Sequence, residues 1–579
     1  MALFVWLNCP GPTGFSMKTR LIAFFRRSRG FTAGLLTAAV FILFVRGKDA
    51  DSYFEISKNL DLFTSLFKEL NAYYVDPIEP GKLVKSGVDA MLDDLDPYTN
   101  YITESDIEEY EFQTTGRYGG IGTTLRRKSD DVVVGEVYEN SPAMKAGLHP
   151  GDIVLTIDNQ AVAGKDIDAI SVLLKGAPGT MVTLRVKDVF TGLEAAKMVT
   201  RGEIELSSVP YAGLVGTGKD IAFVRLTQFT PNCTRQVRSA LDSLKGVQPS
   251  LKGVVLDLRN NPGGLLDEAV NMCNLFVDRG QLVVSTKGKM ADWDKDFRTS
   301  GAAWNTEIPL TVLVNHSSAS ASEIVAGTMQ DLDRAVMIGE RSYGKGLVQT
   351  TRPLGYNARL KLTTARYYTP SGRCIQALDY AHRNPDGSVG NVPDSLKRSY
   401  KTAGGRTVKS GGGVDPDVFV KDSTISRMAV ALYARGYIFD WATSYVKSHK
   451  EIPPASQFSL SDADFESFAT WLGTKDFKYR NAADDAFDSL KAVANREGNY
   501  EAAKAEFAAL STKLAHDKRA DLFKYKTEVR ELLEGEIATR YYYQRGRIQQ
   551  SLRSDNDLAK AVNYIEQPAQ YKAVLTAKK

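Results

Sequence analysis

Cysteine and histidine are scarce in this 579-residue chain, with four of the first and five of the second. Cys9 lies near the start, and Cys233, Cys273 and Cys374 stand at unrelated spacings, so neither a disulfide framework nor a CxxC metal pair can be read. The thin scatter of histidines argues against a catalytic metal site, and no motif asks for a cofactor. Charge of one sign is also lacking: 73 Lys and Arg are interspersed with 69 Asp and Glu, for a net charge of +4. Nucleic-acid binders concentrate their basic charge, so nucleic acid is not an expected partner. Long hydrophobic runs are missing but for one, FTAGLLTAAVFILFV at 31–45. Five basic residues between Lys18 and Arg29 precede it, and Arg46 and Lys48 follow. Such a segment reads as a signal peptide or a membrane anchor. It is short of the ~20 residues a span takes, yet no clear A-x-A site follows, and a retained anchor is preferred. The basic flank stays in the cytoplasm and sends the remainder outside.

What is present is the composition of a folded protein, 43% hydrophobic and 25% charged, and at ~150 residues per domain three or four domains are expected. Residues 53–112 read as helical, with Leu60, Phe63, Phe67 and Leu70 at spacings of three and four and a turn at LDPYTNYI. Over 113–200 the character changes: VVVGEV, GDIVLTID and MVTLRVKD are strands, and SPAMKAGL and DIDAISVLLKG are helices. From 220 to 365 the strands IAFVRLTQF, GVVLDL, LVVST, LTVLV and AVMIG alternate with helices beginning near Leu265 and Ser320, which predicts an α/β core. A glycine-rich loop occupies 404–414. Beyond about 425 the chain turns helical and charged, and Val529, Leu532, Leu533 and Ile537 form one apolar stripe, read as core packing. The expected architecture is α/β and multidomain: a leader over 1–47, an N-terminal helical segment over 48–112, an inserted β-rich domain over 113–200, the α/β core over 201–425 and a helical domain over 426–579.

Residues 315–327, NHSSASASEIVAG, place four serines in six positions where a strand runs into a helix. Ser320 and Glu323 fit a capping box, Ser320 accepting from the Glu323 amide. A strand–helix turn is also how a nucleophile is displayed, and a helix N-terminus favours developing negative charge. His316 is too close along the chain to serve easily as a base. A lysine serves if its pKa falls from ~10.4 to ~7–8, and Lys345 in GERSYGKGLVQ is the candidate. The same stretch nearly spells a P-loop, but Gly346 stands where Ser or Thr should hold Mg²⁺, and a strand follows rather than a helix. GVVLDLRNNPGGLLDEAV reads as strand, glycine turn and helix, with Gly263 or Gly264 able to offer an amide to an oxyanion.

LDPYTNYI, RYGGIG, SPAMKAGLHPGDIVLTID, LDLRNNPGG, SASASEI, GKGLVQ and GGGVDPDV follow one another over residues 53–421. In that order they resemble the C-terminal processing peptidases, also called tail-specific proteases, a family of Ser–Lys serine endopeptidases carrying a PDZ domain. The resemblance implies Ser320 as nucleophile, Lys345 as general base and Gln349 as the residue orienting the lysine. It implies oxyanion donors at the Ala321 amide and at Gly263, with Gly264 the alternative, and neither metal nor organic cofactor. It makes 113–200 a PDZ domain in which Tyr118, Gly119, Gly120, Ile121 and Gly122 receive a terminal carboxylate, while the peptide adds as a strand beside 121–125. The implied partners are protein and peptide substrates with free C-termini, on the periplasmic side of the inner membrane, by an enzyme either anchored or secreted. The C-terminal helices are left to pack on the protease, to form a homo-oligomer or to bind an adaptor. Where the family often has histidine and serine, this chain has Tyr98 and Thr99, a change read as lying outside the catalytic positions. The alternative function is a catalytically inactive PDZ scaffold.

Overall fold

The computed structural model describes residues 53–421, 425–514 and 517–577. The expected leader lies outside them, and among the described residues no helix is long and apolar enough to cross a membrane. The chain divides into two compact units, Met1–Met91 and Leu92–Lys579. In the first, a helix over 53–73 carries the expected apolar stripe, and its Leu60, Phe63 and Leu70 are exposed. Helix Pro80–Asp93 follows. The turn expected at LDPYTNYI follows and runs into a short strand, Asn100–Ile102, before helix Ile107–Thr115.

In the inserted domain, Arg117–Gly120 pairs antiparallel with Gly202–Glu205 and closes the segment at both ends. Between them a sheet runs in the order Thr123–Lys128, Asp131–Val137, Ile153–Ile157, Met181–Lys187 and Glu194–Thr200. Met181–Lys187 buries every second residue, as a strand with one solvated face should. Ile121, Val134, Ile157, Ile170 and Val186 make the core. Thr123–Lys128 is an edge strand, so its outer hydrogen-bonding side is free to accept a further strand.

The α/β core is built on a sheet in the order Tyr211–Val215, Ile221–Arg225, Gly253–Asp257, Leu310–Val314, Val336–Gly339 and Val418–Phe419, parallel after the first antiparallel pair. Strands such as Leu310–Val314 are buried throughout, because both faces are covered. One face meets helices Cys233–Val247, Leu266–Cys273 and Ala321–Asp331. The other meets the end of the chain: Phe223, Val255, Leu313 and Ile338 pack with Leu558, Ala561, Ile565 and Tyr571, from helices Asn556–Glu566 and Pro568–Leu575. LVVST, expected within this sheet, belongs to a separate antiparallel sheet formed by Asn100–Ile102, Arg359–Tyr368, Leu282–Gly288 and Lys295–Arg298, with Leu347–Pro353 paired to Arg359–Tyr368.

The remaining C-terminal helices have a core of their own, where Val529, Leu533 and Ile537 meet Phe465 and Phe468. Helix Lys526–Ser551 breaks at Tyr543 (φ 55°, ψ −159°). This helical body touches the inserted domain. Lys128 pairs with Asp440 at 2.8 Å, the Arg126 guanidinium lies 4.8 Å from the Phe439 ring centre, and Tyr543 Oη lies 3.0 Å from Met144 Sδ.

Candidate active site

The buried strand Leu310–Val314 delivers the chain to a turn whose serines have different fates. Ser318 is fully buried; its Oγ donates to the Leu258 carbonyl at 2.8 Å and accepts the Asn315 amide at 2.9 Å. Ser322, equally buried, donates to the Asn261 carbonyl at 2.9 Å, which the Ala319 amide also reaches at 3.0 Å. These two serines fasten the turn to the LDLRNNPGG loop. Ser320, partly exposed, is the N-cap of helix Ala321–Asp331 and sits at φ 55°, ψ −114°. A residue with a Cβ holds such a conformation at a cost on the order of 1–3 kcal/mol, and only where its surroundings enforce it.

The enforcement comes from two sides. On one, Gly263 lies so close that a Cβ there would stand 2.7 Å from the Ala319 carbonyl and 2.8 Å from Ser320 Cβ. Its φ of 99° demands glycine as well. The Gly263 amide donates to Asn261 Oδ1 at 2.9 Å, whereas the amides of Gly264 and Ala321 have no partner among the described residues. On the other side stands Glu323. The capping-box residues are in place, and the Glu323 carboxylate accepts the Ser320 amide at 2.9 Å. It also accepts Ser342 Oγ at 2.5 Å, the Gly344 amide at 2.6 Å and the Lys345 amide at 2.8 Å. One buried carboxylate therefore ties the Ser320 turn to the Lys345 loop. Burial raises it to about 7 against those four donors.

Lys345 opens into the same cleft as Ser320, about 640 Å³ in volume, together with Gly263, Gly264, Ala321, Gln349 and Lys361. Burial, and then repulsion from Lys361, lower the Lys345 amine to about 8, while Asp96 and Glu323 act in the opposite sense. Among the described residues the amine has no hydrogen bond; it lies 4.1 Å from the centre of the Tyr98 ring. Tyr98, read as lying outside the catalytic positions, stands against the expected base without being one of them. Gln349 Nε2 donates to Thr363 Oγ1 at 3.1 Å rather than meeting Lys345. The helical domain contributes Gln544, next to the break at Tyr543, to the cleft wall. GERSYGKG continues into strand Leu347–Pro353, not into the helix a phosphate loop requires.

In the inserted domain, Tyr118, Gly119 and Gly120 lie in the closing strand pair, and Ile121 is buried. A Cβ on Gly119 would meet the Gly176 carbonyl at 2.2 Å, so the loop packs to contact only as glycine. The Ile121 and Gly122 amides make no other hydrogen bond among the described residues and stand at the head of the edge strand. His149, Asp152 and Asp188 bring three ligand atoms within 4.8 Å of one another. The Asp152 oxygens there accept the His149 and Val189 amides at 2.8 and 2.9 Å, which makes the cluster a loop fastening.

Known families match three stretches: "Peptidase family S41" over 220–383, "PDZ domain" over 133–188, and "Probable PDZ-protease, C-terminal helical domain" over 428–565. The carboxy-terminal-processing protease of Bartonella bacilliformis is 35% identical over 350 residues, covering 60% of this chain and 80% of that protein. A "Probable CtpA-like serine protease" of Staphylococcus haemolyticus is 31% identical over 455 residues, 78% of this chain and 82% of that protein. Among solved structures, the photosystem II D1 C-terminal processing protease is 27% identical, with 62% of this chain and 92% of that one covered and a TM-score of 0.34. With about four-fifths of both the Bartonella and the Staphylococcus protein covered, at 35% and 31% identity, the chain belongs to peptidase family S41, as a carboxy-terminal-processing serine protease with a PDZ domain.

Proposed function

We propose that the protein is an ATP-independent endopeptidase in which Ser320 is the nucleophile and neutral Lys345 the general base, acting on cell-envelope proteins that its PDZ domain captures by their free C-termini. The observation that carries this reading is the shared cleft. A serine held at an enforced turn and a lysine amine lowered to about 8 open into one space. Lys345 takes the Ser320 proton as Oγ attacks the scissile carbonyl, then returns it to the departing amine, leaving an acyl-enzyme. Water, deprotonated by the same amine, attacks the ester and restores both groups. The developing oxyanion takes the Ala321 amide at the helix N-terminus. As second donor we assign Gly264 in place of Gly263, whose amide is committed to Asn261. For Gln349 to orient the lysine, its carbonyl oxygen must turn to the amine, and the Thr363 contact engages only its amide nitrogen. Recognition of a free carboxylate fits the uncommitted Ile121 and Gly122 amides beside an open strand edge. The basic-flanked apolar run at 31–45 supports an envelope location, anchored or secreted.

The test is cleavage of an unstructured protein by the purified chain, with and without ATP. Ser320→Ala and Lys345→Ala are each expected to abolish ATP-independent cleavage with the circular dichroism spectrum unchanged. Full activity of either variant would remove that residue from its role, and binding of free C-termini without cleavage by the wild type would favour the scaffold. Cell fractionation checks the location, and exclusive recovery in the cytosol would defeat it.

A further inference from the structure

The turn Asp96-Pro97-Tyr98-Thr99 is built to hold one ring still. Asp96, almost fully buried, accepts the Tyr98 and Thr99 amides on Oδ1, both at 2.9 Å, and Thr99 Oγ1 on Oδ2 at 3.1 Å. Thr99 Oγ1 in turn accepts the Thr363 amide at 3.2 Å, which locks the turn to the strand bearing Lys361. At its outer end the Tyr98 hydroxyl meets those of Tyr343 at 3.4 Å and Tyr380 at 3.5 Å. Burial and these two neighbours keep the phenol neutral. The face of this fixed ring is where the Lys345 amine rests, 4.1 Å from the centroid and without a hydrogen bond to Ser320.

We propose that Tyr98 is a positioning residue for the general base: its ring face parks Lys345 as a cation, and the amine is released toward Ser320 when it loses its proton. This rests on Lys345 being the base. An ammonium is drawn to the negative face of an aromatic ring and a neutral amine is not. Deprotonation therefore loosens the amine from Tyr98 and makes it an acceptor for the Ser320 hydroxyl in the same event. The ring opposes deprotonation, as do the carboxylates of Asp96 and Glu323, whereas Lys361 and the desolvated surroundings favour it. Tyr343, Tyr367 and Tyr380 also stand near the ring, and burial holds Tyr367 and Tyr380 above the ordinary tyrosine range. The parked amine is thereby held with its proton to a higher pH than an aliphatic wall would allow.

The test is the pH dependence of kcat/KM on a fluorogenic peptide, for the full chain with phenylalanine and progressively fluorinated phenylalanines at position 98. Fluorine drains the ring face without changing its shape. The ascending limb should move stepwise to lower pH, by about 0.4–1.5 units across the series. Tyr98→Leu should shift in the same direction, and Tyr98→Phe, which keeps the face and loses only the hydroxyl contacts, should return the limb to its wild-type position. A fluorinated series that superposes, or moves to higher pH, overturns the proposal and leaves the base assignment standing. A wild-type profile with no ascending limb, or a fully active Lys345→Ala, defeats the base assignment and the proposal with it.

Discussion

Replacing Arg259 with leucine should unsettle the core more than any exposed ion pair could. Its guanidinium is bidentate to Asp257, with both contacts at 2.9 Å, and reaches Asp555 at 2.9 and 2.6 Å and Asp557 at 2.9 Å. Asp257 is fully buried. Burial alone would raise its pKa, but Arg259 and then Arg225 overcome that and hold it below the usual carboxylate range. Asp555 and Asp557 begin helix Asn556–Glu566, so one side chain fastens the end of the chain to the loop that leads into NNPGG. Stripping the partner from a buried charge costs about 3–5 kcal/mol, or roughly 6–20 °C in the melting midpoint of a unit of 150–250 residues. The sign of the pH dependence follows. In the variant, burial raises the folded pKa of Asp257 above its unfolded ~3.9, so the penalty is largest at pH 8 and fades as the carboxyl protonates toward pH 5. Urea unfolding at the two pH values measures it, and the deficit should shrink by more than half. A deficit below about 1 kcal/mol at pH 8, or one equal at both pH values, would refute the argument.

Ser318→Ala and Ser322→Ala remove fastenings and not the nucleophile; each should cost about 1–3 kcal/mol of stability in a thermal melt, with cleavage retained below the new midpoint. The kcat/KM profile should rise with a midpoint near pH 8 as Lys345 loses its proton, steepen below 7 where Glu323 protonates, and keep only the upper step in Glu323→Gln. A peptide with a free apolar C-terminus should accelerate hydrolysis of a separate small reporter about 5-fold or more, and its amidated form should not, because Tyr543 touches the PDZ domain while neighbouring Gln544 lines the cleft. Truncation after Ser554 should leave an aggregating core, scored by its elution in gel filtration, since Phe223, Val255, Leu313 and Ile338 lose their cover.

The alternation of strands and helices made the core legible, because unbroken apolar runs such as LTVLV have no other use than a sheet covered twice. The turn at Ser320 was legible for the same reason: a strand, a serine and a capping glutamate fall within fourteen letters. Placement across the chain was not. LVVST has the pattern of a core strand, yet its partner is Arg359–Tyr368, and nothing local distinguishes the two sheets. Tyr98 lies far from Lys345 along the chain, and only folding brings its ring to the amine. Gln349 points to Thr363 because the ladder between its strand and Arg359–Tyr368 shifts register between Val348 and Gln349, a bulge no spacing announces. The sequence marks Ser320 by its capping glutamate, but that Ser318 and Ser322 are buried fastenings shows only in their bonds to the carbonyls of Leu258 and Asn261.

The cover on the second face of the central sheet also sets an order of events. Ile221 and Phe223 are buried by Ile565 and Tyr571, which are made long after them. Until then Gly253 lacks the Ile565 side chain that fills the space above it, and Arg259 lacks Asp555 and Asp557. The strands that carry Ser320 into place cannot reach their final packing until those later helices have been made. The cutting site is thus completed by helices that lie far downstream of it in the sequence.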